Sequence, residues 1–139
     1  GEVPHCGVEE ILAGRGLANL HAFAALQAGH AATLTSAEVL AAVSAGDPVA
    51  GHAARLYVRI LGQTLADLAL IHLPYGGIFL IGGMSRAMTP HFARCGLTGA
   101  LREARRVDLL TRDFSVTLVE DDYAALTGCA AYLANGGQG

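Results

Sequence analysis

The sequence contains no Trp and no Lys, and only 15% of its 139 residues are charged. All nine basic residues are Arg, and twelve acidic residues outnumber them, which gives a net charge of −3. Proteins that bind nucleic acid or an anionic membrane surface typically present a concentrated basic patch. The composition therefore favours neither a nucleic-acid partner nor a membrane partner.

Cysteine is also scarce. The three cysteines, Cys6, Cys95 and Cys129, lie far apart, and none belongs to a C-x-x-C pair. This number and spacing favour neither a disulfide framework nor a zinc site. Each of the six histidines likewise lacks a second His or Cys at metal-ligand spacing, so we predict no metal site. The same cysteine usage leads us to expect a cytoplasmic protein.

A long hydrophobic run free of polar residues is missing as well. The longest apolar stretch extends from Leu56 to Pro74, and its interior is interrupted by Arg59, Gln63, Asp67 and His72. A membrane span of that length rarely tolerates so many polar groups, so the stretch is typical of a core helix. With 53% apolar residues, the chain has enough hydrophobic side chains for one globular domain.

Ala and Leu, both strong helix formers, dominate the first half of the chain. The apolar spacing predicts a helix from Val8 to Leu26 that Gly14 and Gly16 bend or divide. The next predicted helix is capped at Ser36 and stopped by Gly46. A long helix over Val49–Leu73 then follows a cap at Asp47-Pro48 and ends before Pro74.

Only two segments have the composition of strands, Gly77–Ile81 and Phe114–Val119. Helices are predicted between them over Thr89–Cys95 and Thr98–Leu110, and after them over Tyr123–Ala134, capped by Asp121 or Asp122. The pattern predicts a helix-rich α/β fold with about two parallel strands and five to seven helices. Because two short parallel strands do not form a stable sheet alone, a preceding part of the protein or a second copy must supply others.

Two glycine-rich segments and an acidic pair are candidate binding features. Gly14-x-Gly16 begins like a dinucleotide fingerprint, but Asn19 replaces its third glycine. We expect instead that Gly7, Gly14 and Gly16 permit a close backbone approach at helix ends. The Gly76–Gly83 segment is a buried strand that ends in a glycine pair, a pattern typical of either a tight turn or a ligand-facing strand end. Glu9-Glu10 is typical of acids in the first turn of a helix.

These segments together resemble bacterial glucokinases of the hexokinase-type, actin-like ATPase superfamily. Residues 9–20 follow the pattern E-x-[IV]-L-[SA]-G-x-G-L-x-N-L, and residues 76–83 follow G-G-[IV]-F-[IL]-x-G-G. Further matching elements are Leu61-Gly62, Asp67–Leu70 and a closing strand before Asp121-Asp122. Each motif alone is a weak signal, but the series of motifs at these spacings is specific for the family.

The resemblance implies a partial RNase H-like lobe, the C-terminal portion of an ATP-dependent glucokinase. Residues 1–134 would form this portion, and 135–139 a flexible Gly-rich tail. It further implies that Glu9 accepts a hydrogen bond from a sugar hydroxyl, and that Gly82, Gly83 and Met84 border the adenosine of ATP. Mg²⁺ and a homodimer are implied for the parent enzyme, which makes glucose 6-phosphate.

The family's phosphate loops, its D-x-G-G-T motif and its catalytic base do not occur in this sequence. We therefore expect no catalytic residue in this chain and no activity from it alone, because phosphoryl transfer needs those groups. The start at Gly1 instead of Met is a further reason to expect a fragment. The alternatives are a related sugar kinase, a sugar-sensing regulator of the same superfamily, or a non-catalytic dimerisation module.

Overall fold

The computed structural model describes residues 7–103 and 114–136, which form seven α-helices and two parallel β-strands. This confirms the predicted helix-rich α/β fold. The elements in chain order are α1 (Glu9–Leu12), α2 (Gly16–Gln27), α3 (Ser36–Ala45), α4 (Pro48–His72), β1 (Ile78–Leu80), α5 (Gly83–Phe92), α6 (Leu97–Leu101), β2 (Val116–Leu118) and α7 (Ala124–Ala134).

The 25-residue helix α4 is the scaffold against which α2, α3 and α6 pack. The Asp47 side chain accepts a hydrogen bond from the Ala50 amide at 2.7 Å, and Pro48 occupies the first turn, so the predicted cap is confirmed. The sequence predicts that α4 packs through an apolar stripe at helical spacing: Ala50, Ala54, Tyr57, Leu61, Leu65, Leu68 and His72. This prediction is correct through Leu65 but wrong at Leu68 and His72, which are exposed. The buried face continues instead through Ala66 and Ala69.

The core lies where four helices meet. Its largest fully buried side chains are Leu17 of α2, Val39 of α3, Val58 of α4 and Met88 of α5. Much of the surrounding α4 surface is alanine, so neighbouring helices approach this helix closely. At one such point, a Cβ added to Gly62 would lie 2.5 Å from the Cβ of Ala100 in α6.

The division of the first predicted helix near its glycines is confirmed, since α1 ends at Leu12 and α2 begins at Gly16. A Cβ at Gly16 would lie 1.9 Å from the Ile11 carbonyl oxygen, so this glycine does permit a close backbone approach. The same explanation is wrong for Gly7 and Gly14, where an added Cβ would meet nothing within 4 Å.

The predicted cap of α3 is off by one residue, because Thr35 rather than Ser36 caps the helix. Thr35 and Glu38 form a capping box, in which the Glu38 amide donates to the Thr35 hydroxyl at 3.3 Å and the Thr35 amide donates to the Glu38 carboxylate at 2.8 Å. The Thr35 amide and, at 2.8 Å, the Thr35 hydroxyl both donate to the Glu38 carboxylate, and these two bonds hold the pKa of Glu38 below its ordinary value. The hydroxyl of Ser36, the first residue of the helix, instead donates to the Gly14 carbonyl oxygen.

Strands β1 and β2 pair in parallel, with Ile78 opposite Val116 and Leu80 opposite Leu118. Both are shorter than predicted, spanning three residues each. Leu80 faces Phe92 and Leu97, whereas Phe79 on the other face is 60% exposed. The predicted buried strand is therefore wrong, since none of the three residues of β1 is buried and, within the described residues, one apolar face of the sheet is uncovered.

The helices after β1 differ from their predicted bounds. The predicted Thr89–Cys95 helix begins six residues earlier, because Gly82 turns the chain directly from β1 into α5. The predicted Thr98–Leu110 helix appears as the short α6, and its positions 104–110 lie outside the described residues.

The last predicted helix corresponds to α7. The Asp121 side chain accepts a hydrogen bond from the Tyr123 amide at 2.8 Å just before this helix, which has no side-chain cap of its own. None of the residues of α7 is buried. The predicted tail over 135–139 is described only at Asn135 and Gly136.

Across residues 7–103 and 114–136, no helix combines the length and apolar character needed to cross a membrane.

Candidate functional site

Glu9 and Glu10 open α1, and the structure distinguishes their carboxylates. Arg15 binds Glu10 through two bonds, from Nη2 at 2.6 Å and from Nε at 3.2 Å. The Arg15 Nη2 lies 3.5 Å from the Glu9 carboxylate, whose side chain remains 74% exposed. Both acids, Glu10 most strongly, raise the pKa of Arg15. The Glu10 carboxylate is thus occupied within the chain, whereas that of Glu9 is accessible to a ligand hydroxyl.

Three side chains from other helices fix the segment that carries Glu9. The Tyr57 hydroxyl of α4 donates to the Leu12 carbonyl oxygen at 3.0 Å, and the Asn19 side chain of α2 donates to the Glu10 carbonyl oxygen at 2.9 Å. Ser36 of α3 holds the Gly14 carbonyl oxygen in the same way. Such anchoring from a packed scaffold preorganises an exposed carboxylate for ligand binding.

Gly82, Gly83 and Met84 lie together where β1 passes into α5. Gly82 has φ 109° and ψ 165°, a backbone conformation that essentially only glycine adopts. A Cβ at Gly82 would meet nothing within 4 Å, so the space above this turn is open to a ligand. Met84 packs against the hydrophobic core. The glycine pair therefore forms the predicted tight turn, and the ligand-facing interpretation of the motif stays a prediction.

An ion pair that sequence reasoning missed joins the carboxyl ends of the two strands. Arg86, in the first turn of α5, contacts Asp122, which lies 36 positions later and follows β2. The Arg86 amide also donates to the Gly82 carbonyl oxygen at 3.2 Å. No local sequence pattern predicts a contact between residues 36 positions apart, because the contact depends on the parallel pairing of β1 with β2.

A cleft of about 470 Å³ adjoins this ion pair and is lined by Arg86, Thr89, Pro90, Leu118 and Glu120. Glu9 lies on a different element, since α1 packs against α2 and α4. The sequence-predicted residues thus form two separate groups, Glu9 on one side and the glycine turn on the other. Within residues 7–103 and 114–136, no group of three or more His, Cys, Asp or Glu side chains is placed to hold a metal ion.

His91 is buried near the end of α5. Burial first, and then the neighbouring Arg94 charge, hold the pKa of His91 below its ordinary value. The Arg94 Nη2 lies 3.0 Å from the His91 Nδ1 and donates to the Val43 carbonyl oxygen at 3.3 Å. This contact links the end of α5 to α3, remote in sequence from both Glu9 and the glycine turn, and its role is structural.

Comparisons with known proteins agree on one family. A sequence model of the family described as Glucokinase matches residues 2–136. A glucokinase from Mesorhizobium japonicum is 37% identical over 129 residues, which cover 91% of this chain and 38% of that protein. A glucokinase from Chromobacterium violaceum is 32% identical over 133 residues, which cover 94% of this chain and 38% of that protein.

A solved structure supports the same relationship. The crystal structure of glucokinase from an Antarctic psychrotroph superimposes with a TM-score of 0.85 at 28% identity, covering 95% of this chain and 42% of that one. The chain therefore spans about two fifths of the length of the relatives that it matches.

Proposed function

The chain belongs to the glucokinase family, and from that premise we propose that it is the C-terminal portion of an ATP-dependent glucokinase. The proposed reaction transfers the γ-phosphoryl group of ATP to a hydroxyl of D-glucose and yields ADP and glucose 6-phosphate, the first step of glycolysis. The observation that carries this proposal is the family match over residues 2–136.

In this proposal Glu9 binds the sugar. Its carboxylate is exposed and has no close hydrogen bond to Arg15, unlike that of Glu10, so it can accept hydrogen bonds from sugar hydroxyls. Hydrogen bonds to a charged acceptor are stronger than those to a neutral one. The anchoring of α1 by Tyr57 and Asn19 would keep this acceptor in place as the sugar enters.

Gly82, Gly83 and Met84 would border the adenosine of ATP. The open space above the Gly82 turn lets a flat group approach the backbone, at the carboxyl end of β1. Ligands of open α/β sheets bind at this end of the strands. The contribution of this chain to catalysis is therefore positioning, which is most of what an enzyme supplies to phosphoryl transfer.

The remaining parts of the proposal concern Mg²⁺, assembly and location. Residues 7–103 and 114–136 include no group of three or more His, Cys, Asp or Glu side chains placed to hold a metal ion, so we propose that the Mg²⁺ ligands belong to another part of the protein. We propose that the phosphate loops and catalytic base belong to a part of the protein outside this chain. We propose a cytoplasmic homodimer, as the family resemblance implies.

A coupled assay of ADP release tests the proposal. We expect the full-length gene product to phosphorylate glucose with ATP, and to use glucose in preference to fructose, mannose and N-acetylglucosamine. The 139-residue chain, assayed alone at the same concentration, is expected to show no turnover above background. Glucose-independent ADP release by the full-length protein, or a preference for another sugar, would contradict the assignment. Turnover by the repurified chain alone would contradict the placement of the catalytic groups outside it.

A further inference from the structure

We infer that a groove between α4 and the turn from α5 into α6 binds a phosphate group, and that Arg55 and Arg94 hold it. The groove consists of two cavities of about 190 and 390 Å³, which adjoin because Arg55 and Cys95 line both. Among the described residues that line it are neither Glu9 nor the glycine turn at Gly82, so this site is additional to the sugar and nucleotide contacts proposed above.

The position of the groove follows from how α4 meets the end of α5. Gly51, Arg55 and Arg59 follow one another at intervals of four residues, so they lie along one side of α4. Arg94 lies just after α5, and Gly96, with φ 85°, turns the chain into α6. Because α6 packs on α4, this turn lies beside the arginine side of the long helix.

Arg94 is oriented without losing its charge. Its Nη2 donates to the Val43 carbonyl oxygen at 3.3 Å and lies 3.0 Å from the His91 Nδ1. Both partners are neutral at neutral pH, since burial and the Arg94 charge hold the pKa of His91 below its ordinary value. No described carboxylate forms an ion pair with Arg94. A guanidinium group held in this way keeps its remaining N–H donors and its full charge for an anion.

Arg55 supplies the second unbalanced charge. It is exposed on α4, and no described residue forms an ion pair with it. A Cβ added to Gly51 would lie 3.4 Å from the Arg55 Nη1, so the glycine leaves room for the guanidinium group beside the first turns of the helix. Arg59, one turn further along, differs because its Nη2 donates to the Glu103 carboxylate at 3.2 Å.

The charge of the groove favours an anion. Three arginines line the two cavities, against the carboxylates of Asp47 and Glu103. The Asp47 side chain caps α4 and Glu103 is bound by Arg59, so neither carboxylate is paired with Arg55 or Arg94. Two guanidinium groups without a carboxylate partner can bind one phosphate through several charge-assisted hydrogen bonds.

The larger cavity indicates the class of ligand. Its walls include Gly96, Gly99 and Ala100, whose small side chains leave room, together with the polar groups of Arg59 and Glu103. A carboxylate accepts hydrogen bonds from hydroxyl groups, and a guanidinium group donates to them. The ligand is therefore a phosphate monoester of a small hydroxylated compound. Free phosphate shares the chemistry of the smaller cavity and is the source that the experiment must distinguish.

Alkylation of Cys95 in the full-length gene product reports whether the groove is occupied. Burial raises the pKa of the Cys95 thiol, and the charges of Arg94 and Arg55 partly offset this rise. A phosphate bound to both arginines would cancel the offset and cover the thiol. At constant ionic strength, we expect glycerol 3-phosphate and inorganic phosphate to slow alkylation by iodoacetamide, and glycerol to leave it unchanged. Peptide mass spectrometry follows Cys95, with the exposed Cys129 as the internal control.

Substitutions locate the bound phosphate. Arg55→Gln and Arg94→Gln each remove one charge, and we expect each to raise the Kd, taken from the concentration that gives half-protection, about tenfold. Arg102→Gln is the matched control, since Arg102 is exposed and lines neither cavity, and its Kd should stay within about twofold of wild type. If Arg94→Gln lowers the melting temperature, Arg55→Gln decides alone, because this exposed side chain forms no ion pair with a described residue.

Two results would overturn the inference. One is Cys95 alkylation that neither phosphate compound slows, and the other is protection with the same Kd in Arg55→Gln and wild type. A lower Kd for glycerol 3-phosphate than for inorganic phosphate would support the monoester. Equal Kd values would overturn that part and identify free phosphate as the ligand of the two arginines.

Discussion

The hydroxyl group of Tyr57 donates a hydrogen bond to the backbone carbonyl oxygen of Leu12, across 45 positions of sequence and a distance of 3.0 Å. Tyr57 lies in the middle of the scaffold helix α4 and is 2% exposed, whereas Leu12 is the last residue of α1. The bond therefore connects the most extensively packed helix of the fold to the short helix that carries Glu9.

Replacing Tyr57 with Phe removes only this hydroxyl. We expect the free energy of unfolding to fall by about 1 kcal/mol, because the part-buried Leu12 carbonyl loses its donor while the ring packing stays. Urea denaturation of the full-length gene product measures this change. Tyr75→Phe is the control, since Tyr75 is 81% exposed, and its stability should match that of wild type. Equal stability of Tyr57→Phe and wild type would show that the bond contributes nothing.

Gly62 is predicted to be required at the contact of α4 with α6. An alanine Cβ there would lie 2.5 Å from the Ala100 Cβ and 3.2 Å from the backbone of Ala100 and Leu101, so we expect a loss of about 1–3 kcal/mol of stability. Gly99→Ala, in α6, would meet nothing within 4 Å and should stabilise the helix by up to about 1 kcal/mol. Thermal and urea denaturation of both variants compare them directly. A stabilised Gly62→Ala protein would contradict the close packing of α4 on α6.

The lowered pKa of His91 makes stability depend on pH in a defined direction. In the unfolded chain His91 titrates near its ordinary value of 6.5, whereas in the folded protein burial and Arg94 hold its pKa lower. Between these two values the unfolded state binds more protons than the folded state, so stability falls as the pH drops below about 6.5. Protonation of Nδ1 would also abolish its acceptance of the Arg94 hydrogen bond.

We therefore expect His91→Gln to lose less stability than wild type when the pH is lowered from 7.5 to 5.5. Urea midpoints at several pH values give the comparison. His30→Gln, at an exposed position, serves as the control and should retain the wild-type dependence. Identical pH profiles for wild type and His91→Gln would assign the dependence to other groups.

Glu9→Gln in the full-length gene product tests the sugar site. Because a charged acceptor contributes about 1.5–3 kcal/mol to a hydrogen bond, we expect kcat/KM for glucose to fall about 10- to 100-fold. Glu10→Gln removes the same charge from the first turn of α1, but from a carboxylate that Arg15 already occupies. That control variant should have a much smaller effect. If both variants lowered kcat/KM for glucose equally, Glu9 would have no role beyond stabilising the start of its helix.

The isolated chain is predicted to self-associate. Phe79 and Ile81 are 60% and 49% exposed on one side of the sheet, and α7 buries none of its residues. Uncovered apolar surface of this kind favours association, with a dimer as the simplest closed form. Sedimentation equilibrium at micromolar concentration measures the mass. A single folded species at 14.3 kDa, with folding verified by circular dichroism, would contradict the prediction.

Local signals predicted the helical part of the fold well. Asp47-Pro48 and Gly46 mark the boundaries of α3 and α4 because capping and left-handed backbone conformations select few residue types. The predicted cap at Ser36 is one residue too late, because Thr35 and Ser36 are equally suitable capping residues. Only the hydrogen bond from Ser36 to the Gly14 carbonyl oxygen, which is remote in sequence, decides between the two. The position of Glu9 on an exposed helix start was likewise predictable.

The turn from β1 into α5 was predictable only at its glycine pair. The backbone at position 82 has a positive φ, which favours glycine, so a glycine pair at the end of a strand indicates such a turn. The contact of Arg86 with Asp122 depends on strand pairing across 36 positions, for which no local pattern exists. The early start of α5 at Gly83 has the same origin, because the turn into it is set by where β1 ends against β2.

The parallel pairing of β1 with β2 also has a consequence for folding kinetics. Ile78 meets Val116 only after the 37 intervening residues have been brought into a closed loop, which has an entropic cost that hydrogen bonds within a helix do not carry. Helices whose contacts are local in sequence form faster than such pairings. We therefore expect α2, α3 and α4 to assemble early and the sheet to close late. The glycine turn and the Arg86 cleft would then be completed in the last step of folding.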